Sequence, residues 1–135
     1  MGRSKNREDA FKLLYSLQLI KENDTKEQME LFFEQENIVD DNTKNYINEI
    51  INGVEDNNSE IEKQIEENIK SDWTLSRISK IDVTLLKLGI YEILYSKLPY
   101  KVVINEVVEL AKKYAEETSP SFINGILASF VNNGE

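Results

Sequence analysis

Apolar residues recur along this chain at intervals of three and four, the spacing that lines one face of a helix. From Asn6 to Ile20 they fall at Phe11, Leu14 and Leu17 and at Leu13, Tyr15 and Leu19, a stripe wide enough for a helix buried on most of its circumference. Lys21 to Thr25 reads as a turn, with Asp24 or Thr25 capping a second helix that carries Met29, Phe32 and Phe33 and ends near Asn37. Asp40 and Asp41 start a third, whose core face is Tyr46, Ile47, Ile50, Ile51 and Val54 and which stops at Asn57-Asn58. Ser59 with Glu62 reads as a capping box for a fourth, whose narrow stripe of Ile61, Ile65 and Ile69 leaves most of it facing solvent.

Trp73 opens the second half of the chain, and Leu75 to Ser79 reads as one turn of helix before Asp82 caps a far more apolar one. That helix holds Leu85, Leu86, Leu88, Ile90, Tyr91, Ile93 and Leu94, which predicts a central, buried position. Pro99 breaks it, and Val102 to Tyr114 resumes the pattern through Val103, Val107, Leu110, Ala111 and Tyr114. Ser119-Pro120 is an N-cap and first-turn pair for a last helix packed through Ile123, Ile126, Leu127 and Phe130. Gly125 in its interior costs up to about 1 kcal/mol of helix propensity, which predicts close approach of a neighbouring backbone. The expectation is an all-α, compact bundle of about seven helices forming a single domain over residues 1–135. Two subdomains, about 1–70 and 71–135, should share one core.

Composition narrows the function. The 135 residues include no Cys and no His, which removes disulfides, thiol and imidazole nucleophiles, and zinc sites built on those ligands. No apolar run reaches the roughly 18 residues of a membrane span, and Leu85 to Leu94 is interrupted by Lys87, Gly89 and Glu92. Nothing after the basic start has the form of a signal peptide, so the sequence reads as cytosolic. Glu106 and Glu109 lie one helical turn apart and could in principle act as acid and base, but solvated helix faces carry such pairs by chance. Gly-rich phosphate loops and nucleophile elbows are absent from the sequence. A binding protein with no reaction of its own is what remains.

The net charge of −9 opposes a polyanionic partner, but the distribution is uneven. Residues 1–7 carry Arg3, Lys5 and Arg7 and no acid; residues 8–70 hold 17 acids against 6 bases; residues 71–135 hold 8 against 7. A basic N-terminal arm could therefore share a locally positive face with the second half, or be no more than a solvated terminus. Arg77 and Phe122 extend the first of these readings. A helix N-terminus offers free N–H groups to phosphate, and an exposed aromatic beside it can stack a base. Spacing alone leaves Phe122 open between that role and packing with Ile126, and favours packing.

Several separate blocks of this sequence resemble the NusB family of bacterial transcription-antitermination factors. They are Arg7-Glu8 leading into AFKLLYSLQL (10–19), then WTLSRISKID (73–82), LLKLGIYEIL (85–94), PYKVVINEVVELAKKY (99–114) and SPSFINGIL (119–127). The resemblance spans nearly the whole chain and is weakest over residues 21–70. It implies an all-α fold that pairs with the ribosomal protein NusE and needs no cofactor. The pair would bind single-stranded boxA RNA in nascent ribosomal transcripts and join RNA polymerase with NusA and NusG. It also implies that Arg3, Lys5 and Arg7 meet phosphates, that Arg77, Thr118 and Phe122 lie at the RNA surface, and that Tyr15 and Glu92 hold NusE. Thr118 stands where the family often has an acid, and the short arm carries only three charges, which implies weak RNA affinity without the partner.

Two alternatives compete. Ribosomal-RNA cytosine methyltransferases carry a related helical domain, but no Rossmann-type region accompanies this one. A helical interaction homodimer would use its apolar face only for itself.

Overall fold

The computed structural model describes residues 3–20, 24–69, 74–96 and 98–133, Arg3 through its backbone alone. Seven α-helices make up the described chain: α1 (Arg3–Leu19), α2 (Thr25–Gln35), α3 (Asp41–Asp56), α4 (Asn58–Glu67), α5 (Lys80–Tyr95), α6 (Tyr100–Tyr114) and α7 (Ser119–Asn133), with a single 3₁₀ turn at Leu75–Arg77 before α5. The expected turn over 21–23 and the expected opening at Trp73 lie outside the described residues.

The apolar run that sets α5 apart places it at the centre. Leu85, Leu86, Leu88 and Ile90 are wholly buried, and the helix packs against α1, α3, α4, α6 and α7. Each such side chain contributes about 1.5–3 kcal/mol by leaving water. The buried apolar residues form one cluster from Ala10 to Phe130, so both halves of the chain share a core. Two glycines permit the tightest helix approaches. A Cβ on Gly53 would lie 2.5 Å from the Cζ and hydroxyl of Tyr91, bringing α3 against α5, and one on Gly89 would lie 3.0 Å from Leu127 of α7. Gly125 lies on the open face of α7, with nothing within 4 Å of its would-be Cβ, contrary to the close approach expected from the sequence.

Local chemistry sets most helix ends. The Asp24 and Asp40 side chains accept from the backbone N–H groups of Lys26 and Thr43. Helix α2 closes with Asn37 at φ 57°, its N–H donating to Glu34 and the next N–H, of Ile38, to Phe33, a Schellman closure that Asn tolerates well. Two caps differ from expectation. Ser79 rather than Asp82 caps α5, accepting from the Asp82 N–H at 3.1 Å. The Ser59–Glu62 box does not define the start of α4: Asn57 alone joins α3 to α4 without a side-chain cap bond. Its amide is spent on the Gly53 carbonyl, and Glu62 pairs with the nearly buried Lys87 at 3.0 Å.

Candidate nucleic-acid interface

The basic start is not a loose arm, because the chain is already helical from Arg3. One turn of α1 separates side chains with opposite fates. Lys5 is exposed and bonds to Asp9 at 2.8 Å, a bond that raises its pKa. Arg7, two residues on and so nearly opposite on the helix, is only 2% exposed. Its Nε donates to Glu92 of α5 at 2.5 Å, its Nη1 lies 3.4 Å from Glu106 of α6, and the Tyr46 hydroxyl of α3 donates to the same Glu92 at 3.0 Å. Burial alone would lower the Arg7 pKa, but the bond and charge of Glu92, with help from Tyr46 and Glu106, outweigh it and raise the value.

This geometry corrects two expectations. Arg7 is turned into the protein and spent on carboxylates, so it does not stand ready for phosphate. Glu92, 1% exposed, is its internal counter-ion and offers no surface to a protein partner. The reason is electrostatic: a guanidinium or a carboxylate buried alone costs several kcal/mol, and each residue is the other's compensation. Tyr15, also expected at the partner face, is half-buried and stacks on Phe11 with ring centroids 6.3 Å apart. The side chain of Arg3 lies outside the described residues.

Beside Lys5, α1 and the last turns of α6 enclose an open groove of about 490 Å³ lined by Ser4, Lys5, Glu8, Glu106, Lys112 and Lys113, among others. Lys113 bonds to Glu8 at 2.6 Å, and the Tyr114 hydroxyl donates to the same carboxylate. These two bonds hold Glu8 below its ordinary pKa. Burial, seconded by the Glu8 bond, pushes Tyr114 up to about 12. Lys112 pairs with Glu109 at 3.0 Å. The groove is thus a lattice of balanced charges, and its exposed pairs are worth only about 0–1 kcal/mol each, so they exchange readily for other ions.

The remaining candidates gather elsewhere, where the starts of α5 and α7 meet. Ser119 is buried and donates to Asp82 Oδ2 at 3.0 Å, tying the two helix starts together. Asp82 Oδ1 is buried with no hydrogen-bond partner among the described residues, and burial raises the Asp82 pKa despite the Ser119 bond. Arg77, at the end of the 3₁₀ turn, and Thr118, just before α7, are exposed. Phe122 is half-buried and packs on the core, so part of its ring remains at the surface. Its N–H donates to the Thr118 carbonyl at 3.2 Å.

The sequence candidates thus fall at the start of α1 beside α6 and at the starts of α5 and α7. Ser4 bonds to Glu106, which places the start of α1 along α6. Lys112 and Lys113 carry no signal in the sequence that sets them apart, and Tyr114 reads there only as a position of the apolar stripe. The link of Lys113 and Tyr114 to Glu8 joins residues more than a hundred positions apart and leaves no local signal. Among the described residues no group of carboxylates is placed to hold a metal ion, and no helix is long and apolar enough to cross a membrane.

An all-α bundle with exposed cations and a part-exposed aromatic at its helix ends defines a helical docking module. Comparison with known proteins makes that class specific. The NusB family model matches residues 4–132. The transcription antitermination protein NusB of Clostridium novyi (strain NT) is 44% identical over 136 residues, covering 97% of this chain and 98% of that protein. Its counterpart in Acetivibrio thermocellus is 46% identical over 132 residues, covering 97% and 89%. Among solved structures, NusB of T. maritima superposes with a TM-score of 0.89 at 31% identity, covering 98% of this chain and 92% of that one. A structure described as the antitermination factors NusB and NusE in complex with dsRNA gives 0.85 at 29% identity, covering 98% and 99%. The chain belongs to the NusB family.

Proposed function

We propose that this protein is a cytoplasmic transcription antitermination factor that binds RNA jointly with a NusE ribosomal protein, catalyses no reaction and needs no cofactor. The observation that carries this reading is the end-to-end likeness to a NusB solved together with NusE and RNA. The RNA is single-stranded boxA, and the complex serves ribosomal-RNA transcription with NusA, NusG and RNA polymerase. Arg77, Thr118 and Phe122 contact the strand at the α5–α7 junction, where the exposed part of Phe122 stacks a base, while Arg3 and Lys5 meet phosphates at the start of α1. Tyr15 lies on the side that receives NusE. The match over 98% of the Clostridium novyi antitermination protein supports this reading over that of a methyltransferase's accessory domain.

Labelled boxA RNA titrated with this protein, with NusE and with both tests the proposal. Tighter binding by the pair than by either protein alone is expected; a pair that ignores the RNA would overturn it. Engaging two or three phosphates should give a slope of about −1.4 to −2.1 in log K against log salt. Phe122→Ala should lower affinity by about 1–3 kcal/mol with that slope unchanged.

A further inference from the structure

We infer that Arg7 is a positioning residue for RNA binding, which acts through Glu92 and Glu106 to fix the first turn of α1 and never touches the strand itself. The inference rests on the functional reading above. The charged end of Arg7 enters the core, and there it meets three other helices at once: Glu92 on α5, Glu106 on α6 and, through Glu92, Tyr46 on α3. Ser4 adds a second tie to Glu106 at 2.8 Å. The turn that carries Lys5 is therefore held at a set angle over the groove, although its own exposed bonds are weak.

The fork of the guanidinium is what makes this possible. Nε faces Glu92 while Nη1 reaches Glu106, and an ammonium on a flexible stem cannot serve both in one rigid geometry. An N-terminal turn of a helix has unpaired N–H groups and frays unless it is tied down. Removing the tie should free Lys5 and its neighbours from their shared orientation and leave Glu92 buried without a cation.

The test uses the full-length protein with NusE and boxA RNA, at a temperature where circular dichroism shows every variant folded. Arg7→Met should weaken RNA binding by roughly tenfold through local opening of the first turn. Arg7→Met with Glu92→Met replaces the pair by apolar side chains of similar length, an exchange that cores often tolerate. That double variant should recover wild-type affinity within about twofold and the wild-type salt slope. A phosphate-contacting Arg7 gives the opposite: the double variant stays weak and its slope is shallower by about 0.7. Arg7→Lys discriminates again if the methionine variants fail to fold. A direct contact survives the retained charge, whereas positioning is lost with the fork. Should the wild-type complex itself fail to bind RNA, the functional reading falls. Amide exchange over residues 7–10, whose N–H groups bond to the carbonyls of the first turn, then decides the inference on its own, with protection expected to fall in Arg7→Met and return in the double variant.

Discussion

Alanine at two glycines should move stability in opposite directions, although both glycines lie inside helices. At Gly125 nothing stands within 4 Å of the added methyl, so Gly125→Ala keeps only the gain in helix propensity, about 0.5–1 kcal/mol. At Gly53 the same methyl would sit 2.5 Å from the Tyr91 Cζ and hydroxyl, well inside the roughly 3.5–4.0 Å at which carbons pack. Overpacking of this kind costs about 1–3 kcal/mol, which the propensity gain offsets only in part. A net loss of about 1–2 kcal/mol follows, or a fall of several degrees in Tm for a domain of this size. Urea unfolding followed by far-UV circular dichroism measures both variants. Repeating Gly53→Ala in a Tyr91→Ala background isolates the clash, since the penalty should disappear when the ring is gone. Equal effects of the two alanines, or a penalty that persists without Tyr91, would refute the packing argument.

Glu92→Lys should destabilise the whole fold by about 3–5 kcal/mol, because it sets a second cation against buried Arg7; a variant with wild-type urea stability and only a defect in NusE pairing would contradict the burial of Glu92. Asp82, an acid whose folded pKa is raised, contributes stability that is present below its unfolded pKa of 3.8 and is lost as pH rises through the folded value. Asp82→Asn should therefore be more stable than wild type at neutral pH, with the difference shrinking toward pH 4, as urea melts across that range would show. Spectrophotometric titration should reveal one tyrosinate forming near pH 12 instead of 10, and Tyr114→Phe should delete that step. Glu8, whose folded pKa is lowered, supplies stability present above its unfolded value of 4.5 and lost as pH falls through the folded one, so the advantage of wild type over Glu8→Gln should fade in acid.

Periodicity and capping made the helices legible before any coordinates. The stripe through Ile47, Ile50, Ile51 and Val54 is buried as read, the apolar run of α5 lies at the centre, and Asp24 and Asp40 cap the helices they precede. These features depend on residues within a turn or two of one another, and a linear sequence displays such neighbours directly. The family blocks were legible for the same reason, as short strings in a fixed order.

What the sequence could not disclose is which way a charge points. Arg3, Lys5 and Arg7 looked like one cationic group, yet Arg7 is drawn inward by Glu92, 85 residues away. Gly125 looked like the close-packed glycine, yet Tyr91 and Leu127 crowd Gly53 and Gly89 instead. The pairing of Glu8 with Lys113 and Tyr114, and of Asp82 with Ser119, likewise brings distant positions into contact. Helical propensity and amphipathic spacing are local properties of the chain, whereas the cost of burying a charge or a methyl group is set by whichever helix packs against it, and that neighbour exists only once the tertiary structure has formed.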